Sequence, residues 1–151
     1  VKTLLTITAA LEAGTGVALV VAPSSVVLML LGSPLDAPAS LVIGRVLGAA
    51  LFALGAACWG ARHDPQGRTA AGLIAAMLLY NIAVVSLLGH ARIGSGMSGV
   101  GWWPGVILHS ALAVWCAACL RTARRNVIGG GTNGRVGRSQ VRSPRPRSAE
   151  S

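Results

Sequence analysis

The sequence predicts an all-α fold: an integral membrane four-helix bundle, up-down, with a short interfacial helix after the first span and a disordered C-terminal tail. Three observations predict it. Only 11% of the 151 residues are charged and 53% are hydrophobic, whereas a soluble domain carries about 25% charged residues. The charges are unevenly spread, with eight of the thirteen basic residues at or after Arg121. Between Thr3 and Leu120 the charged residues are Glu12, Asp36, Arg45, Arg62, Asp64, Arg68 and Arg92, too few to cover the surface of a soluble domain of that length. Finally, four apolar windows approach the roughly 20 residues that a helix needs to cross a bilayer.

The first window covers about residues 3–22 and ends before Pro23. Proline lacks an N–H and clashes with the preceding turn, so a helix should break or kink there. Residues 24–31 are apolar but span only about 12 Å as helix. They read as a short interfacial helix or a kinked extension of the first span, with Ser24 or Ser25 available as a cap. Gly32, Pro34 and Pro38 then punctuate a loop around Asp36. The second window covers about residues 39–61, and the polar turn of Arg62, His63, Asp64, Pro65, Gln66, Gly67 and Arg68 closes it.

The third window covers about residues 69–89 and the fourth about residues 104–120. A glycine-rich connection leads into Trp102, Trp103 and Pro104. Paired tryptophans suit a membrane interface, and proline suits the first turn of a helix. The glycines between Gly94 and Gly101 do not form a phosphate loop, because no strand precedes them and no lysine follows. The spans belong to a transmembrane domain of residues 1–125. Residues 126–151 combine glycine, serine, proline and five arginines, a composition that cannot bury enough apolar surface to offset its ordering entropy.

Orientation follows from the positive-inside rule. Lys2, Arg62, Arg68, Arg121, Arg124 and Arg125 fall on one side of the membrane, and Arg92, with Arg45 if it snorkels, falls on the other. The expected location is the bacterial inner membrane, multi-pass, with both termini cytoplasmic. A cleaved signal peptide is not expected, since Glu12 interrupts the first apolar run and no small-x-small site closes it.

Polar residues at depth are the candidate functional residues, because the bilayer makes them costly. Each span supplies one: Glu12, Arg45, Asn81 and His109. By helical rise Glu12 sits roughly 13 Å from the cytoplasmic end, and the other three roughly 16–24 Å, so an intramembrane polar layer is expected. A charge at mid-bilayer costs about 2.5–3.5 kcal/mol, which a Glu12–Arg45 pair would offset. Glu12 and Arg45 either form a pair that only fixes helix register, or line a pocket for a proton, a quinone headgroup or a small ligand, or do not meet at all. His109 is either a hydrogen-bond partner of Asn81 or a proton carrier or metal or haem ligand. A haem would want a second axial ligand at matching depth, and His63 and His90 lie in or near loops.

Cys116-Ala117-Ala118-Cys119 has the C-x-x-C spacing. It lies at a helix C-terminus, where the dipole opposes the thiolate that redox motifs depend on. Small thiols packing between helices is the better reading. Cys58 lies near the same depth, but no fourth ligand completes a metal site. No metal and no cofactor is implied. Gly44, Gly48 and Gly55, with Ala9 and Ala13 and with Ala10 and Gly14, form small-residue faces that let helices approach closely.

Read as a block from Leu11 to Trp59, one further pattern emerges. The run ends in Val20-Val21-Ala22-Pro23. Leu30-Leu31-Gly32-Ser33-Pro34-Leu35-Asp36-Ala37-Pro38 follows, and Gly44-Arg45 opens a Gly/Ala-rich span. In these residues the chain resembles the DoxX-like group of small four-helix bacterial membrane proteins. The resemblance covers the first two spans, and the basic tail has no counterpart in the group. It implies a four-helix bundle and, for some members, association with quinone-linked or thiol-linked redox systems. It carries over no catalytic residue.

The composition excludes a soluble enzyme and gives no specific nucleic-acid binding. Two functions remain as expectations. The first is a structural or accessory subunit of a membrane complex, packed against a membrane protein partner. The alternative is a small redox-linked or transport protein using the polar layer. The lipid bilayer is the expected surroundings, with anionic lipid headgroups drawn to the basic tail at about 1 kcal/mol per basic residue.

Overall fold

The computed structural model describes residues 1–136 except Gln66, with side chains described through Arg125; the remainder of the tail, residues 137–151, lies outside the described residues. Five helices follow in order: α1 (Lys2–Val21), α2 (Pro23–Leu31), α3 (Pro38–Ala61), α4 (Arg68–Ser95) and α5 (Trp102–Val136). Among the described residues there is no strand. Four helices are long and apolar enough to cross a membrane: α1, α3, α4 and the Trp102–Arg125 stretch of α5. This is the pattern of a multi-pass membrane protein. Large apolar side chains lie exposed along these helices, Leu79 and Val114 at 71% and Ile43 at 68%. A water-facing monomer rarely carries apolar patches of that extent.

Proline punctuates the first half of the chain. Ala22 leaves helical geometry at φ −136°, ψ 63°, and Pro23 opens α2 as its first residue. The short segment is therefore a separate helix. Neither serine caps it; the Ser24 hydroxyl instead accepts from the Leu35 N–H at 3.1 Å and holds the following loop. Gly32 ends α2 in the left-handed region at φ 78°, a conformation that only glycine adopts without a Cβ penalty. Two orphan carbonyls of α2 are satisfied from far along the chain. The Gly99 N–H donates to Leu30 O at 3.1 Å and the Gly101 N–H donates to Met29 O at 2.9 Å.

α1 and α3 pack antiparallel with their backbones in contact. A Cβ built at Gly48 would lie 2.7 Å from the Gly16 carbonyl oxygen, and one at Gly55 2.8 Å from the Ala13 nitrogen. The expected glycine stripe on α3 is thus the contact face. On α1 the matching stripe is Ala9, Ala13 and Gly16, whereas a Cβ at Gly14 meets nothing within 4 Å. Of the two small-residue pairs expected on α1, Ala9 and Ala13 face α3, and the pair of Ala10 and Gly14 is corrected, since Gly14 borders open space.

The apolar core gathers Leu4, Leu5 and Ala9 of α1, Cys58 of α3, Ala70, Ile74 and Met77 of α4, and Leu112 and Cys116 of α5. It lies where the starts of α1 and α4 meet the ends of α3 and the span of α5. α4 runs six residues beyond its expected end before Gly96 stops it at φ 66°. By contact the chain divides into two units, Val1–Leu120 and Arg121–Ser151. In the second unit, helix is described to Val136. Extending an existing helix gains one hydrogen bond per residue without a new nucleation cost.

Candidate functional site

Three of the four expected polar residues come together in the interior of the first unit. Glu12 projects from α1 and is 4% exposed, and Asn81 of α4 is fully buried. His109 of α5 is half-buried. The Asn81 amide nitrogen donates to Met77 O one turn back at 2.7 Å. That bond fixes the amide orientation and leaves Oδ1 as an acceptor, 2.7 Å from His109 Nδ1. His109 Nδ1 therefore carries the hydrogen and donates it. In the neutral ring, Nε2 is then the lone-pair nitrogen.

Tyr80, which sequence reasoning passed over, completes the cluster. Its hydroxyl donates to the Glu12 carboxyl group, and its ring meets the His109 imidazole edge-on at 5.8 Å. It was findable: it is the single tyrosine of the chain, it adjoins Asn81 mid-span, and a phenol in an apolar helix needs a hydrogen-bond partner.

A cavity of about 40 Å³ separates these groups, lined by Leu11, Glu12, Thr15, Tyr80, Leu108, His109 and Leu112. One water needs about 10–15 Å³ of such space, so it has room for about three waters. Sites for organic ligands run to about 300–1,000 Å³, roughly ten times larger. A second concavity of about 330 Å³ lies between α1 and α3, lined by Val17, Val20, Val21, Ala49 and Phe52. It offers no polar side chain to orient a ligand.

Arg45 does not join the cluster. It is exposed on α3, and among the described residues Glu12 has no ion pair. Contacts of Gly16 with Gly48, of Ala9 and Ala13 with Gly55, and of Pro23 with Gly44 set the register of α1 against α3. Glu12 lies level with Gly55, so Arg45 is about ten residues, or about 15 Å, further along. That exceeds the offset of roughly 3–11 Å that helical rise implied. The direction also differs, since α3 contributes no side chain to the cavity that Glu12 lines.

The remaining candidates divide cleanly. His63 and His90 are exposed. Cys58 and Cys116 are free and buried in the core, and Cys119 is free and partly buried. Among the described residues no group of three or more His, Cys, Asp or Glu is placed to hold a metal. The two tryptophans differ in role. Trp102 is buried at 8% exposure, and its indole N–H donates to Leu88 O at 3.1 Å; Trp103 is 62% exposed. Arginines stack on tryptophan near two helix ends, Arg62 over Trp59 at 3.2 Å and Arg92 over Trp102 at 5.0 Å. Comparison with protein-family models, curated proteins and solved structures finds no match to this chain.

Proposed function

We propose that this chain is a four-span, up-down protein of the bacterial inner membrane, with both termini cytoplasmic, that serves as an accessory subunit packed against a larger membrane protein. The observation that carries this reading is the scale of the internal polar site. A cavity of about 40 Å³ takes water but not an organic substrate or a quinone headgroup, so the polar side chains act mainly on one another. They fix which faces of α1, α4 and α5 meet, while the exposed apolar flanks remain for lipid and a partner. The basic residues of the tail add attraction to anionic lipid headgroups. Native mass spectrometry of the tagged protein, released from nanodiscs after affinity purification, tests the reading. The expected result is one larger membrane protein at fixed stoichiometry, and a chain that always emerges alone overturns it.

One observation favours a second reading, a small transport or redox-linked protein. Glu12, Tyr80 and His109 face one shared cavity, and ionisable groups at membrane depth ordinarily mark ion or proton pathways. The resemblance to the DoxX-like group points the same way through its redox-linked members. Proton flux in proteoliposomes, with Glu12→Gln as the comparison, separates the two readings.

A further inference from the structure

The Glu12 cavity holds more acceptors than donors. A carboxylate offers about four lone-pair sites, and Tyr80 supplies one hydrogen to them. His109, which lines the cavity, spends its Nδ1 hydrogen on Asn81, which leaves Nε2 as the ring's lone-pair nitrogen and makes it an acceptor. Nε2 has no protein partner among the described residues, yet it is not sealed off. The only fully enclosed side-chain nitrogen or oxygen without a partner there is Arg62 Nε. Thr15, exposed on α1, also lines the cavity. Glu12 and His109 thus line a space of about 40 Å³ with a shortage of hydrogens, and about three waters fit in it.

We propose that this cavity is a proton-binding site, in which one exchangeable proton is shared between the Glu12 carboxyl group and His109 Nε2 through a bridging water. The transfer balances within the site. The Glu12 O–H bond breaks as the water oxygen accepts that proton, and a water O–H bond breaks as Nε2 accepts the other. The products are a carboxylate, an imidazolium and a regenerated water, with no change in total charge. Release of the proton leaves a carboxylate beside a neutral ring. The titratable groups around Glu12 are Tyr80 on α4, His109 on α5 and Cys58 on α3, and none is a lysine or arginine. A net charge is costly at membrane depth, so the one-proton, uncharged site is the resting state. Asn81 is a positioning residue, because it sets the tautomer that makes Nε2 the acceptor. The proposal deepens the second reading above and rests on its shared cavity.

Infrared titration of the full chain in lipid nanodiscs, with ¹⁵N-histidine NMR on the same samples, tests it. The expected result is a protonated-carboxyl band that Glu12→Gln removes and that titrates together with the His109 nitrogen signals. In His109→Gln the band's midpoint should move by about one pH unit or more, as for coupled sites. The wild-type titration alone is decisive if a variant fails to fold. Independent titration of the two groups overturns the proposal. So does a Glu12 band that never appears, or one that responds to sodium at constant pH. Coupled titration without proton flux in proteoliposomes keeps the site and removes the transport reading.

Discussion

His109 Nδ1 lies 2.7 Å from Asn81 Oδ1 while the Asn81 amide nitrogen is held by Met77 O; a single amide thereby joins α5 to the backbone of α4. Side-chain hydrogen bonds between membrane helices are worth about 0.6 kcal/mol on average and about 1.7 at most. This one is short and partly buried, so it should lie in the upper part of that range. A double-mutant cycle with Asn81→Ala and His109→Leu, read by denaturant unfolding in micelles, should return a coupling of about 1–1.7 kcal/mol. A coupling near zero would mean the two side chains do not depend on each other.

The contact of α1 with α3 depends on missing side chains. A Cβ at Gly48 would fall 2.7 Å from Gly16 O and 2.8 Å from Val20 N, both backbone atoms that cannot turn aside. Gly48→Leu should therefore separate the helices and cost at least the 1–3 kcal/mol or so typical of overpacking. Gly14, one helix face away, has open space, and Gly14→Leu should change stability by less than about 0.5 kcal/mol. Thermal unfolding of both variants in one detergent makes the comparison, and equal melting temperatures would contradict the packing described.

Arg45 supplies the opposite kind of prediction. Breaking a buried ion pair costs about 3–5 kcal/mol. Arg45 is exposed and about 15 Å along the helix from Glu12, so Arg45→Gln should shift unfolding by no more than about 0.5 kcal/mol. A loss of several kcal/mol would restore the discarded pair.

The fate of that pair shows what the sequence made legible. Hydropathy windows located the four long helices, because length and apolarity are local properties. Pro23 marked the α1–α2 break for the same reason, and Gly44, Gly48 and Gly55 marked a packing face because the stripe lies on one helix. Asn81 and His109 were named as partners because each was the one strongly polar residue of its span at similar depth. Arg45 failed because depth along a helix says nothing of direction around it. Its true offset from Glu12 depends on the register set by Gly16 and Gly48, a contact between separate elements. Tyr80 was missed because it counts as hydrophobic in a composition, although its hydroxyl belongs to the polar set.

The pairing of the glycine loop with α2 was likewise invisible, since Gly99 and Leu30 are far apart in sequence. A Cβ at Gly99 would overlap Met29 O, and the Gly99 and Gly101 N–H groups cap the end of α2. Gly99→Ala should push the loop off this helix end. Each net hydrogen bond is worth about 0.5–1.5 kcal/mol, so the Gly101 amide should exchange about 2- to 12-fold faster with deuterium. Unchanged protection at Gly101 would show that the loop tolerates the methyl group and that the cap is not glycine-dependent.

Orientation is the property on which the remaining proposals depend, and it can be read in cells. Lys2, Arg62 and Arg68 fall at one end of the proposed spans, with Arg92 at the other, and the orientation proposed above puts the more basic end in the cytoplasm. A fluorescent protein fused after Arg125 should glow, and alkaline phosphatase fused at the same point should be inactive. A phosphatase inserted after Met97, in the α4–α5 loop, should be active. The bias is tested directly by Arg62→Glu and Arg68→Glu made together. This change removes two positive charges from the turn between α3 and α4 and leaves Arg92 untouched, and it should lower the fraction of chains with the Met97 insertion outside. An inactive phosphatase at Met97 in the unaltered chain would reverse the orientation, and would place the basic tail away from the anionic inner leaflet.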